Sequence, residues 1–165
     1  MMKSVYLLII FFLLSCGQID FIYENKSNLK NPIYQKTQVF FTGKDIASLY
    51  KYSSIYFEGD GDDLYELNIN INEEKTRRSV QTNQAIEKLD YKLTFDYNLF
   101  NKNIDCIVYK KTIESRFTFE PKSSGYNFGS DQSLKKLYDS SVNNNFQNFI
   151  NDLVNIDLES CSNEN

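Results

Sequence analysis

Two runs of this chain alternate between apolar and polar residues with a period of two. From Leu64 to Asn72, Tyr65, Leu67, Ile69 and Ile71 fall on one side, and Glu66, Asn68, Asn70 and Asn72 on the other. A longer run sets Leu89, Tyr91, Leu93, Phe95, Tyr97 and Leu99 against Asp90, Lys92, Thr94, Asp96 and Asn98. Successive side chains of a strand point to opposite faces, so each run is a strand with one dry face and one wet face. Sheets of that kind are antiparallel and solvated on one side. The dry face requires a cover, and the rest of the chain has to supply it.

The cover is legible further along. Ser130 is a good N-cap residue, and the spacing predicts a helix over Asp131–Leu153. Leu134, Leu137, Tyr138, Val142, Phe146, Phe149, Ile150, Leu153 and Val154 recur at three and four residues, which makes one apolar stripe. Ahead of the alternating runs, Gln38–Phe41 reads as a first strand. Thr42 or Asp45 can cap a short helix that carries Ile46, Leu49 and Tyr50 on one face. Ser54–Phe57 either extends as a strand or continues the connection. Glu73–Gln84 has no apolar period and reads as an exposed basic connection containing Lys75, Arg77 and Arg78. Asn101-Lys102-Asn103 reads as a hairpin turn, because Asn tolerates the left-handed backbone. Ile104–Phe119 returns as a long bent strand, with Cys106 and Val108 on one side and Ile107 and Tyr109 on the other. The predicted order is β-α-β-β-β-α: an α+β two-layer sandwich, a four-stranded, mostly antiparallel sheet covered by two helices.

The N-terminus belongs to a different kind of segment. Lys3 precedes ten unbroken apolar residues, Val5–Leu14. A bilayer span needs about 20 residues, so this run has the size of a secretory h-region. Leu13-Leu14-Ser15-Cys16 closes it and resembles a bacterial lipobox. That resemblance implies cleavage before Cys16, diacylglycerol on its sulfur and an acyl chain on its amine. One chain anchors only marginally, at roughly 0.8 kcal/mol per buried CH₂, whereas several hold durably. Gly17, where an aspartate would favour inner-membrane retention in enteric bacteria, leans the localisation to the outer membrane, on its periplasmic side. The organisation expected is a signal peptide at 1–15, a lipidated N-terminus and polar tether at 16–36, a domain at 37–158 and a C-terminal tail at 159–165.

Composition removes several functions. The chain has a net charge of −4 and no histidine. A nucleic-acid binder would be basic with clustered Lys and Arg. The Ser-His-Asp and Cys-His constellations and most zinc sites need histidine. Scattered carboxylates form no pair that stands out for acid–base work, so no catalytic residue, metal ligand or cofactor is assigned. Glu58-Gly59-Asp60-Gly61-Asp62-Asp63 lacks the EF-hand spacing and reads as a solvated turn. With Cys16 lipidated, Cys106 and Cys161 remain. An oxidising compartment allows a bridge between them. Their spacing leaves open whether they pair or whether Cys106 is simply a small buried residue.

A lipoprotein cysteine ahead of a strand–helix start, the connection Lys75-Thr76-Arg77-Arg78-Ser79-Val80 leading into Tyr91-Lys92-Leu93, and Tyr126-Asn127-Phe128 with Ser130 opening the last helix together resemble the LptE family. This is the lipoprotein subunit of the outer-membrane lipopolysaccharide translocon of Gram-negative bacteria. The resemblance implies two helices on a four-stranded sheet, a one-to-one complex with the barrel protein LptD as its plug and assembly factor, and no enzymatic activity. It also implies lipopolysaccharide contact through basic residues, matched here only by Arg77 and Arg78 with Lys75 beside them. The chain departs from the family at Gln18, where phenylalanine often follows Cys-Gly, and at Gln132 and Ser133, where alanines are usual. The competing expectations are a periplasmic lipid- or peptide-binding lipoprotein without a barrel partner, and a carboxylate-dependent hydrolase.

Overall fold

The computed structural model describes residues 31–58, 63–79, 87–121 and 128–162. The signal segment, Cys16, the first part of the tether, most of the acidic turn after Glu58 and residues 80–86 lie outside these.

The elements are β1 (Thr37–Gly43), α1 (Ser48–Tyr56), β2 (Tyr65–Ser79), β3 (Glu87–Asn101), β4 (Cys106–Phe119) and α2 (Phe128–Leu153). The four strands lie side by side in chain order. β1 runs parallel to β2, and the other two pairs are antiparallel. A parallel pair cannot be joined by a tight turn, and α1 forms the crossover. The result is the α+β two-layer arrangement that the alternation predicts.

The alternating residues point as the period requires. Leu67, Ile69 and Ile71 of β2, and Leu93, Phe95, Tyr97 and Leu99 of β3, are all at most 2% exposed. Val142, Phe146, Phe149, Ile150 and Leu153 of α2 close over them and are equally buried. Aromatic rings fill the centre. Tyr97 stacks on Phe149 at 4.1 Å between ring centroids, and Phe146 meets Phe57 edge-on at 5.2 Å. Leu134, Leu137 and Tyr138, nearer the start of α2, are only half-buried. They cover a separate, smaller cluster of Leu89, Tyr91 and Phe119. Val154 lies beyond the helix and is exposed.

Several local expectations need correction. β2 does not stop at Asn72. It pairs with β3 down to Ser79 opposite Glu87, so the segment 73–79 is strand and not a loop. Alternation reports burial, and backbone pairing continues past the point where burial ends. α1 starts after Ala47 with no side-chain cap, so neither Thr42 nor Asp45 caps it. Thr42 instead donates to Asn70 Oδ1 at 3.2 Å. Ile46 is buried just before the helix, while Tyr50 turns outward; Leu49, Ser53 and Tyr56 form the inner face. Ser54–Tyr56 is helical, not a strand. α2 begins at Phe128, so Ser130 lies inside its first turn and not at its cap.

The β3–β4 turn places Asp105, not an asparagine, in the left-handed region, at φ 53°. Asn101 is buried and donates its amide to Leu158 O at 3.1 Å. A bulge supplies the bend expected in β4. Leu99 faces Tyr109 and Phe100 faces Ile107, which leaves Val108 as the extra residue. An extra residue shifts the side-chain alternation, so Val108 and Tyr109 both pack towards the core.

The folded unit is longer at both ends than 37–158. Ile33 is fully buried, and Asn31 donates to Tyr56 O at 2.6 Å. At the other end Leu158 is buried, and Ser162 donates its backbone N–H to Ile107 O at 2.8 Å.

Candidate functional site

Lys75, Arg77 and Arg78 all lie on the far half of β2, where the sheet extends past β1. Gly43 ends β1. Its φ is +84°, and a Cβ there would stand 2.1 Å from Ile71 O, so the chain turns away at a residue that only glycine suits. Lys44 N–H then bonds Ile71 O at 2.8 Å. From Asn72 to Ser79, β2 has β3 on one side and no described strand on the other.

Strand geometry divides the three basic residues. Lys75 pairs with Tyr91 and Arg77 with Leu89, so both share the helix-facing side of the sheet. Arg78 pairs with Lys88 and points to the open side. Neighbours in a strand face opposite ways, so Arg77 and Arg78 do not converge on one ligand from one face. All three are exposed. The Lys75 ammonium sits 5.4 Å from the centre of the Tyr91 ring, a cation–π contact.

On the open side, Arg78 joins a ladder of alternating charge. It forms an ion pair with Asp90. Lys92 contacts Glu114 at 3.0 Å and Glu74 at 3.7 Å. Arg116 contacts Glu114 at 2.8 Å. The hydrogen bond from Arg116, with Lys92 second, holds the Glu114 carboxyl below its ordinary range. The hydrogen bond to Glu114 raises Lys92. An open groove of about 530 Å³ runs over this ladder. Each of these cations already has a carboxylate partner, so a phosphate placed here would compete with fixed anions.

On the helix side, a carboxylate stands between the two apolar clusters. Glu73 continues the row of Tyr65, Leu67, Ile69 and Ile71. Its side chain is 15% exposed, pairs with Lys44 at 3.0 Å and accepts a hydrogen bond from the Tyr138 hydroxyl. Burial, then Glu73, pushes the Tyr138 phenol well above its ordinary value. Asn145 of α2 is a second buried polar group, with no exposed surface. It accepts from the Tyr97 hydroxyl at 2.5 Å and donates to Ser115 Oγ at 2.9 Å. Neither group stands out in the sequence. Glu73 looks like the start of a polar loop, and Asn145 is one of a run of asparagines.

Cys106 and Cys161 form a disulfide. It fastens the chain after α2 to the start of β4. Among the described residues no cluster of three or more His, Cys, Asp or Glu side chains is placed to hold a metal. No described helix is long and apolar enough to cross a membrane.

No protein-family model matches the chain, and no curated protein matches it. Solved structures do. A candidate lipoprotein of Caulobacter crescentus superposes over 78% of this chain and 92% of its own, with a TM-score of 0.56 and 11% identity. A minor lipoprotein of Acinetobacter baumannii covers 74% of this chain and 92% of its own, at TM-score 0.50 and 15% identity. Rare lipoprotein B of Shewanella oneidensis covers 74% of this chain and 99% of its own, at TM-score 0.48 and 14% identity. The first two establish that the β-α-β-β-β-α sandwich is a fold of known proteins.

Proposed function

We propose that this protein is a lipid-anchored lipoprotein of the bacterial outer membrane that binds a large barrel subunit as plug and assembly factor in lipopolysaccharide transport. The observation that carries the lipoprotein part is the pairing of its cysteines. The chain has three cysteines, and two of them, Cys106 and Cys161, are bridged. A bridge of this kind belongs to an oxidising compartment outside the cytosol. Cys16 is the odd one, directly after Ser15 at the end of an apolar run. Lipidation removes the thiol that would otherwise remain to mispair. Two solved proteins with this fold are themselves described as lipoproteins.

The barrel partnership rests on the LptE resemblance and on what the domain offers. Its described side chains pack, pair and present surface, and the charged groups of its open face lie in an ion-paired ladder. Tyrosine is abundant, at 12 residues, and suits interfaces because the ring buries while the hydroxyl stays bonded. The split of the basic residues refines the lipopolysaccharide contact. Lys75 and Arg77 share the helix-facing side of the sheet and are its carriers, whereas Arg78 points to the opposite side. Arg77→Ala therefore weakens lipopolysaccharide capture, more so at low salt, where charge counts most. Arg78→Ala leaves capture unchanged, and neither variant lowers barrel binding, since a large interface does not hang on one rim charge. Capture assays with both variants check this.

Depletion tests the function as a whole. Less correctly assembled barrel and less surface lipopolysaccharide is the expected result. Unchanged levels of both would give the role to a binding lipoprotein without a barrel.

A further inference from the structure

Exposed strand edges carry unpaired backbone groups that template the addition of another strand, and proteins protect them with charges, bulges or covers. Two of the edges in this sheet are protected. β4 bears Lys110, Lys111, Glu114 and Arg116, contains the bulge at Val108, and is met by Ser162 at Ile107. The overhang of β2 bears Glu73, Glu74, Lys75, Arg77 and Arg78.

β1 is the exception. Thr37-Gln38-Val39-Phe40-Phe41-Thr42-Gly43 has no charge and no proline, and it is the terminal strand of the described sheet. Its apolar groups are left unfinished. On the core side Val39 and Phe41 are half-buried, although their neighbours in β2, Leu67 and Ile69, are at most 1% exposed. On the other side Phe40 is 41% exposed. Cations gather at the first end of the strand, where Lys36 precedes it and Lys102 reaches Gln38 at 3.5 Å, while Lys44 at the other end is paired with Glu73.

The geometry points to the outer edge of β1 as a strand-addition site for an extended segment of a partner polypeptide, apolar along its middle and carrying a carboxylate at the end that lies beside Thr37. Main-chain hydrogen bonds to β1 supply the affinity, and alternate side chains of the segment cover Val39 and Phe41. Lys36 and Lys102 select the acidic end. A second copy of this strand brings no carboxylate to them, since Thr37–Gly43 is uncharged. This inference stands apart from the barrel reading, since it concerns the edge and not the identity of the partner.

The test titrates isotope-labelled full chain with a synthetic nine-residue peptide, alternating Thr and Val between an aspartate at each end, and follows backbone amide signals. Shifts and slowed exchange within Thr37–Gly43, none along β4, and binding about tenfold weaker when both end residues are lysine are the results expected. Phe40→Asp, at an exposed position on the wet face, abolishes the binding and leaves the core amides unchanged. Equal binding of both peptides, response at β4 or no binding would overturn the proposal. So would a dimer of the full chain that Phe40→Asp dissociates, which assigns the edge to a second copy. So would β1 amides already protected without peptide and exposed on deletion of residues 18–24, which assigns it to Asp20-Phe21-Ile22-Tyr23-Glu24 of the same chain.

Discussion

Asn145 sits in the interface between α2 and the sheet with both ends of its amide engaged. Removing it leaves the Tyr97 hydroxyl buried without its acceptor, and a stranded buried polar group costs about 1–3 kcal/mol. Asn145→Ala should destabilise the fold by that amount in urea unfolding. Tyr97→Phe strands the Asn145 Oδ1 acceptor in its turn and should also destabilise, and the two losses should not add in the double variant. A negligible effect of Asn145→Ala would mean the network is not part of the packed core. The tyrosines also set a pH dependence. Burial raises the Tyr97 and Tyr138 phenols above the ordinary value of 10.0, at which the unfolded chain's phenols lose their protons. Between those limits the folded state binds more protons than the unfolded one, so stability is fully present below about pH 10 and falls as pH rises further. Urea midpoints measured across this range should drop, and Tyr138→Phe should lessen the drop. Midpoints flat above pH 10 would contradict it. These polar core residues were illegible in the sequence because burial of Asn or Glu depends on a partner far along the chain. Tyr97 and Asn145 are 48 residues apart, and Glu73 and Tyr138 are 65 apart.

The elements divide by how strongly periodicity marks them. β3 and the second half of α2 are legible in the sequence because each buries an unbroken row, while only the first half of β2 is, because its second half buries little. The same contrast ranks mutations. Phe146 is fully buried and contacts the rings of Tyr56 in α1 and of Phe95 and Tyr97 in β3. Phe146→Ala should cost about 3–5 kcal/mol in urea unfolding. Leu137 lies over the smaller cluster and is half-buried, short of the full burial its stripe predicts. Leu137→Ala should cost clearly less than Phe146→Ala. Equal losses would make the two clusters one core, and a loss at Phe146 below about 0.5 kcal/mol, the size expected at a neutral surface site, would overturn the placement of α2. The starts of the helices were misplaced by the sequence for a physical reason. Thr42, Asp45 and Ser130 are capping residue types, but α1 begins after Ala47 without a side-chain cap, and α2 reaches back to Phe128.

At the scale of the whole molecule, the two-layer form follows from hydrophobic periodicity, since a sheet with one dry face needs a cover, whereas the strand order and the parallel pairing of β1 with β2 come only from the structure. The candidate site did not follow as well. Lys75, Arg77 and Arg78 are a cluster on paper, but a strand, unlike a loop, sends Arg77 and Arg78 to opposite sides. The disulfide was also undecidable from spacing, because Cys161 is brought to Cys106 by the burial of Leu158 and the pairing of Ser162, which are tertiary facts. What emerges is a small two-layer domain with a ladder of ion pairs on its open face and, among the described residues, a strand edge at β1 with no neighbouring strand. Under the proposed function such a domain works as the small subunit of a barrel. The most direct measurement is affinity purification of the full chain from detergent-solubilised outer membranes, with the mass of each component determined. One large barrel protein at one-to-one stoichiometry and a mature chain that begins at Cys16 with lipid attached are the expected result. Recovery of the chain alone, or with an unmodified Cys16, would contradict it.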